Sequence, residues 1–185
     1  MVRGTWQVAT LLMGLAFLLA GCNTAAKPTK ENFQTALNAY YSAHDECLYR
    51  HSLHFPYEVN TQSDPDHERL RLDALAKAQM LSSEEEKAIK AIRYTMTPAG
   101  TRATGRFCYG HREVTSIDDF TPPAKAANGF PETLVSYHYV IKDAPVWAQD
   151  DDVKKAFPKM ASDLAGQGQD KATLAQTMAG WQVPE

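Results

Sequence analysis

The sequence contains none of the short motifs that identify common enzyme classes. No G-x-S-x-G nucleophile turn, phosphate-binding loop, dinucleotide fingerprint or H-E-x-x-H zinc pair occurs in its 185 residues. An enzyme does not need any of these motifs, but their joint absence favours a protein without chemistry of its own. No cofactor is expected.

Clustered positive charge is also missing. The 19 Lys and Arg residues face 22 Asp and Glu, and the formal net charge is −3. Binding to nucleic acid requires clustered cations that neutralise phosphates. The sequence therefore predicts no nucleic-acid partner.

The chain lacks a hydrophobic run long enough to cross a bilayer. The run over residues 8–18 has about a dozen residues, whereas a spanning helix needs about 20. Arg3 and the N-terminal amine precede this run, and Leu19-Ala20-Gly21-Cys22 follows it. A charged head, a short apolar run and small residues before a cut are typical of an export signal.

Leu19-Ala20-Gly21-Cys22 resembles the lipobox that closes the signal peptide of bacterial lipoproteins. The resemblance implies a diacylglyceryl group on the Cys22 sulfur, cleavage just before Cys22 and acylation of the new amine. Two or three acyl chains hold a protein stably at a bilayer, whereas one chain is marginal. Residues 1–21 are thus predicted to be a signal peptide, and the lipid on Cys22 makes a membrane the first predicted partner. An uncleaved N-terminal anchor is the alternative.

Asn23 bears on which membrane holds the protein. In the sorting rule of enteric-type lipoproteins, aspartate at this position retains the protein at the inner membrane, so Asn23 favours the outer membrane, facing the periplasm. The outer face of a single-membrane cell is the alternative. We expect residues 22–30, interrupted by Pro28, to form a tether and residues 31–185 to form a single domain.

Cysteine is scarce, with three residues in the chain. Because the lipid consumes Cys22, Cys47 and Cys108 remain, and two cysteines in an oxidising compartment predict a disulfide. Closing a loop of about 60 residues stabilises a fold by roughly 4 kcal/mol in the chain-entropy model.

Helices are predicted mainly in the first half of the chain. Apolar residues at helical spacing predict a helix over residues 31–51 with Thr29 as its N-cap. Asp64-Pro65 predicts the start of a second helix that continues to residue 80. Ser83 with Glu86 resembles a capping box for a further helical turn. A short capped helix is predicted over residues 150–157.

Strands are predicted mainly in the second half. β-branched and aromatic residues predict strands over residues 92–97, 106–117, 133–142 and 171–183. The second and third of these are expected to pair antiparallel across a long loop. Gly110 is expected to mark a bulge, and residues 98–100 a turn. The fold class predicted is α+β, with N-terminal helices followed by an antiparallel sheet.

Two segments resemble parts of a winged helix-turn-helix domain. Residues 72–81 (LDALAKAQML) resemble a helix ending in ALxxAGL, and residues 94–100 (YTMTPAG) resemble a wing strand reading YxLTxxG. Gln79 replaces the glycine of that pattern, and an acidic segment, residues 84–86, separates the halves. The resemblance implies a local winged-helix-like structure, without a DNA-binding role.

A metal site is one hypothesis for the predicted first helix. His44, Cys47, His51 and His54 would share one helical face and could offer nitrogen and sulfur ligands. The span from His44 to His54 is about 15 Å, too long for one ion to collect all four. A structural role for these residues, with Cys47 in a disulfide, is the stronger interpretation.

Two histidines are candidate catalytic residues. His111 follows Cys108 and Gly110, and His138 is predicted to lie on the strand face opposite Tyr137 and Tyr139. Either histidine could serve a small hydrolase or transferase with an aspartate of the Asp118-Asp119 pair. The usual role of such a histidine is a solvated surface residue.

The function favoured by the sequence is a non-catalytic binding or structural module, anchored by lipid in the cell envelope. Exposed aromatic side chains near Phe120 and Phe130 would offer a groove to an envelope protein. A periplasmic hydrolase or transferase, and a protein that captures metal or a small ligand at the His44–His54 face, are the alternatives.

Overall fold

The computed structural model describes residues 24–65, 67–166 and 168–184. The predicted signal peptide, Cys22 and Asn23 lie outside the described residues. Among the helices that the structure describes, none is both long and apolar enough to span a bilayer.

The described chain alternates short helices with antiparallel strands. The helices are α1 (Lys30–Tyr41), α2 (Glu68–Lys77), α3 (Pro98–Arg102), α4 (Asp151–Ala156) and α5 (Pro158–Leu164). The strands are β1 (Asp45–Cys47), β2 (Tyr57–Asn60), β3 (Leu81–Glu86), β4 (Ala91–Met96), β5 (Cys108–Phe120), β6 (Ala124–Lys125), β7 (Pro131–Lys142), β8 (Gly168–Thr177) and β9 (Gly180–Gln182). Short 3-10 turns form at Thr24–Ala26 and Val146–Gln149.

The larger sheet has six strands in the order β1-β5-β7-β8-β9, with β6 paired to β7. The predicted antiparallel pairing of the two long strands is confirmed, since Val114 lies opposite Tyr139 and Ile117 opposite Tyr137. Gly110 lies at an irregularity where β1 meets β5, and its φ is +120°. A Cβ there would lie 2.2 Å from the Lys142 carbonyl oxygen, so the close approach of β7 requires glycine.

Helix α1 covers one face of this sheet, which we call the inner face. Thr29 caps the helix by accepting a hydrogen bond from the Asn32 amide, as predicted. Apolar side chains of α1 and the inner face form one core cluster. It consists of Phe33, Leu37, Val114, Ile117, Val135, Tyr137, Tyr139, Leu174 and Trp181.

A second cluster lies around the smaller sheet, whose strand order is β2-β4-β3. Leu72 and Leu75 of α2 pack in this cluster with Tyr94, Phe107 and Met160. Ile141 of β7 packs against both clusters and so links the two sheets.

Two predicted helical segments are strands instead. The first helix ends at Tyr41, not at residue 51, because Asp45–Cys47 forms β1 on the edge of β5. Ser83 and Glu86 do not form a capping box, because Leu81–Glu86 pairs along its whole length with β4. In both places the hydrogen bonds of a neighbouring strand outweigh local helical preference.

The order of elements also differs from the prediction. Helices α4 and α5 follow the long strands, so the helices are not grouped at the N-terminus. The turn predicted at residues 98–100 is the start of α3, with Thr97 as its N-cap. The single strand predicted at the C-terminus is the hairpin of β8 and β9, which reverses at residues 178–179. The fold is mixed, with helices and antiparallel sheets.

Candidate functional site

A buried arginine is the centre of a network of polar side chains. Arg112 extends from β5 onto the inner face, where it is only 9% exposed. Its Nη1 donates to Asp170 Oδ2 at 2.6 Å and to the Tyr137 hydroxyl at 3.1 Å. Its Nε lies 2.6 Å from Glu46 Oε1, and this contact is an ion pair without an aligned hydrogen bond.

Aromatic rings surround the guanidinium group. Its central carbon lies 4.4 Å from the ring centre of Tyr139 and 5.1 Å from that of Tyr41. The Tyr41 and Tyr137 hydroxyl groups share a short hydrogen bond. Desolvated cation–π contacts of this kind contribute about 2 kcal/mol.

A carboxylate extends the same group of side chains toward α5. Asp163 accepts hydrogen bonds from Tyr109 at 2.6 Å, from Tyr139 at 2.9 Å and from Lys159 at 2.6 Å. Lys159 Nζ also lies 3.7 Å from Glu46 Oε2, which joins Asp163 to the arginine. We call the whole group the Arg112 cluster. It consists of Tyr41, Glu46, Tyr109, Arg112, Tyr137, Tyr139, Lys159, Asp163 and Asp170.

The protonation states of the Arg112 cluster follow from its contacts. Burial alone would lower the pKa of Arg112, but the Asp170 hydrogen bond and the Glu46 charge raise that pKa above its usual value. Burial raises the pKa of Tyr109, and its hydrogen bond to Asp163 raises that pKa further. At neutral pH the arginine is therefore charged and the tyrosine protonated, which makes the cluster a structural network and a poor source of protons.

His138 lies on the opposite face of the sheet, which we call the outer face. Burial of Tyr137 and Tyr139 on either side confirms the predicted alternation. His138 Nε2 lies 3.1 Å from Asp118 Oδ2, and the Gln169 amide nitrogen lies 3.5 Å from the same imidazole nitrogen. The structure thus places one of the two candidate histidines beside one of the two predicted aspartates.

His111 is placed differently. Its Nδ1 lies 3.6 Å from Asp143 Oδ2, a residue that the sequence does not single out. His111 and Asp143 line a cavity of about 520 Å³ together with Arg102, Cys108 and Trp147. His111 lies opposite Lys142, four residues along β7 from His138, so the backbones of the two histidines are about 13 Å apart along the strand. They do not form one site.

The helical face proposed for a metal is not present. His44 lies beyond the end of α1, where its ring stacks on Tyr40 at 3.9 Å. Cys47 is bonded to Cys108 with an S–S distance of 2.12 Å, so the predicted disulfide is confirmed and no Cys47 thiolate is available. Among the described residues, no group of three or more His, Cys, Asp and Glu is arranged to hold a metal ion.

Two apolar surfaces remain open. Phe130, directly before β7, is 52% exposed, and Leu134, near the start of β7, is 42% exposed. Phe120, in contrast, packs edge-on against Phe33 of α1. The second surface is a groove of about 700 Å³ between α1 and β9, whose lining includes Ala36 and Trp181.

The Arg112 cluster is not predicted from the sequence. One signal for it exists: alternation along β5 places Arg112 on the same face as buried Val114. Its members come from six elements (α1, β1, β5, β7, α5 and β8), and no sequence spacing brings these together.

Comparisons with protein-family models, with curated proteins and with solved structures return no match to this chain. Its function is therefore inferred from the residues themselves.

Proposed function

We propose that this chain is a lipid-anchored envelope protein that acts by binding another envelope component. The lipid on Cys22 anchors the protein, and its proposed location is the outer membrane, facing the periplasm. The cysteine follows a charged head, a short apolar run and two small residues, an arrangement that is typical of an export signal and that resembles the lipobox of bacterial lipoproteins. A disulfide between Cys47 and Cys108 suits an oxidising compartment.

The observation that carries the binding proposal is the open apolar surface at Phe130 and Leu134. Leu134 lies between the buried residues Thr133 and Val135 of β7, so it belongs to the outer face, and Phe130 lies directly before β7 begins. Among the described helices, α1 and α5 contact side chains of the inner face, to which Leu134 does not belong. Large exposed apolar side chains at one end of a sheet are typical of an interaction surface.

In-cell photocrosslinking tests this surface directly. A benzoylphenylalanine side chain replaces Phe130 in the full chain, and irradiated cells are analysed for adducts. We expect one discrete adduct with an envelope protein. Leu134→Glu in the same chain is expected to reduce its yield about tenfold, which corresponds to about 1.4 kcal/mol of binding free energy.

Ile89 provides the matched control. It is also a large exposed apolar residue, in the turn between β3 and β4 of the other sheet. Ile89→Glu should leave the adduct yield unchanged. A chain that yields only uncrosslinked monomer, or an adduct insensitive to Leu134→Glu, would contradict the proposal.

A second candidate function is a small hydrolase or transferase that uses His138. The 3.1 Å contact between His138 and Asp118 favours it, because a carboxylate that orients an imidazole is the usual arrangement of a general base. A substrate screen with the purified protein and with His138→Gln tests this candidate. Activity that survives the substitution unchanged would exclude His138 as the base.

We also propose that residues 72–100 form a local winged-helix-like unit. Most of the two resembling segments lies in α2 and β4, which follow one another in this order along the chain. Thr97 accepts the cap hydrogen bond from the Gly100 amide, within the segment that resembles the end of a wing strand. We assign this unit a structural role in the proposed envelope protein and no role in binding nucleic acid.

A further inference from the structure

The first described residues are held firmly against the β8–β9 hairpin. Trp181 Nε1 donates to the Lys27 carbonyl at 3.2 Å, and Gln176 Nε2 donates to the Ala26 carbonyl at 2.8 Å. Asn32 of α1 donates to the carbonyl groups of Thr24 and Lys27 at 2.7 and 2.9 Å. We call residues 24–27 the N-terminal segment. Side chains from both α1 and the hairpin fix this segment to the body of the protein.

The turn of the same hairpin presents an exposed apolar side chain. Met178, between β8 and β9, is 97% exposed. Gly180 follows with a φ of +117°, and a Cβ there would lie 3.2 Å from Ala25 Cβ. The N-terminal segment and the hairpin turn therefore form one end of the molecule. The groove of about 700 Å³ opens at this end, since Ala25, Ala179 and Gly180 line it.

The lipid attachment point lies close to this end. Cys22 is two residues before Thr24, and two peptide units reach about 7 Å. A body that is fixed at Thr24 cannot move far from the acyl chains on Cys22. Its orientation is restricted as well, because the end that carries the N-terminal segment must face the bilayer.

We propose that the N-terminal segment and the β8–β9 turn form a membrane-contacting surface, with the Met178 side chain in the lipid interface. This inference rests on the proposed lipidation of Cys22. Methionine is flexible and apolar, so it adapts to the disordered boundary between head groups and acyl chains. Leu134 pairs with Thr173 and Glu132 with Ala175, so the Phe130–Leu134 surface lies at the same end of the β7–β8 pairing as this turn. A protein partner bound there would therefore lie beside the bilayer.

A fluorescent label reports the depth of chosen positions. Met178→Cys introduces a single reactive thiol, because Cys22 carries lipid and Cys47 is bonded to Cys108. The labelled, lipidated protein is reconstituted into vesicles of phosphatidylethanolamine and phosphatidylglycerol that contain nitroxide-labelled lipids. Val146→Cys is the matched control, since Val146 is 90% exposed but lies in the 3-10 turn beside the other core cluster.

We expect a nitrobenzoxadiazole label at position 178 to be quenched about threefold more strongly than the same label at position 146. Equal quenching in protein that mass spectrometry shows to be lipidated would overturn the membrane-contacting surface and leave the anchor intact. Protein that carries a free Cys22 thiol and does not float with vesicles would overturn the anchor, and this inference with it.

Discussion

At the scale of single residues, the least expected feature is a charged side chain buried on the inner face of the larger sheet. Arg112 is tolerated there because Glu46 and Asp170 supply opposite charge and tyrosine rings cover its faces. Removal of a buried charge from its partners leaves those partners unpaired, which costs more than the pair itself contributes.

Arg112→Met is expected to destabilise the protein by about 2–4 kcal/mol, because Glu46 and Asp170 lose their shared cation. The measurement is the urea midpoint of unfolding. Arg93→Met is the matched control: Arg93 also joins two carboxylates, Glu58 and Glu86, but on the exposed side of the smaller sheet. A solvated pair contributes little. Equal effects of the two substitutions would contradict a special role for the buried arginine.

The contacts of Asp163 predict that the free energy of unfolding falls in acid. Burial alone would raise the pKa of Asp163, but hydrogen bonds from Lys159, Tyr109 and Tyr139 outweigh it and hold the pKa below its usual value. A carboxylate whose pKa is lower in the folded than in the unfolded state stabilises the fold at pH values above its unfolded pKa. This contribution is complete by about pH 5, and it is lost as the pH falls through the folded-state pKa.

Asp163→Asn should therefore cost about 1–3 kcal/mol at neutral pH, and its difference from the unsubstituted protein should shrink below pH 4. Urea unfolding at several pH values between 3 and 7 measures the difference. Asp143→Asn, at an exposed position, is the control. Its free energy of unfolding should stay at a constant difference from that of the unsubstituted protein at every pH. A constant cost of Asp163→Asn at all pH values would contradict the assignment.

At the scale of elements, β1 shows how a short edge strand is retained. It has three residues and pairs with β5, and Cys47 lies directly opposite Cys108 within that pairing. Glu46 of the same strand contacts Arg112 and Lys159. The disulfide and the ion pairs together compensate for the few backbone hydrogen bonds that three residues can make.

Replacement of both Cys47 and Cys108 by serine is expected to lower the free energy of unfolding by roughly 4 kcal/mol, because a loop of 61 residues is no longer closed in the unfolded chain. Hydrogen exchange should show β1 amides exposed before those of β7. Uniform protection of β1 and β7 in the double variant would mean that the edge strand does not depend on the bridge.

At the scale of the whole molecule, two core clusters share β7. Leu37 belongs to the cluster under α1 and Leu75 to the cluster under α2, while Ile141 packs against both. A shared strand couples the stability of the two clusters, since neither can open without losing contacts with β7.

We expect Leu37→Ala and Leu75→Ala each to lower the free energy of unfolding by about 2–5 kcal/mol. Each should do so within one common unfolding transition. Circular dichroism and tyrosine fluorescence should give coincident curves. Leu70→Ala, on the exposed side of α2, is the control and should have little effect. Two separate transitions, each sensitive to one substitution, would show that the clusters fold independently.

Local signals in the sequence determined several features correctly. The pairing of β5 with β7, the Thr29 cap, the bulge at Gly110 and the Cys47–Cys108 bridge all depend on neighbouring residues or on cysteine count, so they can be predicted without coordinates. The lipobox is a signal of the same local kind and stays a prediction.

Only the tertiary structure decided the rest. Residues 42–51 and 81–86 have helical patterns, yet backbone hydrogen bonds from β5 and β4 make strands within both. The Arg112 cluster likewise exists only after distant elements meet. Periodicity reports which face of a segment is buried, whereas the identity of the neighbour that buries it depends on the whole chain.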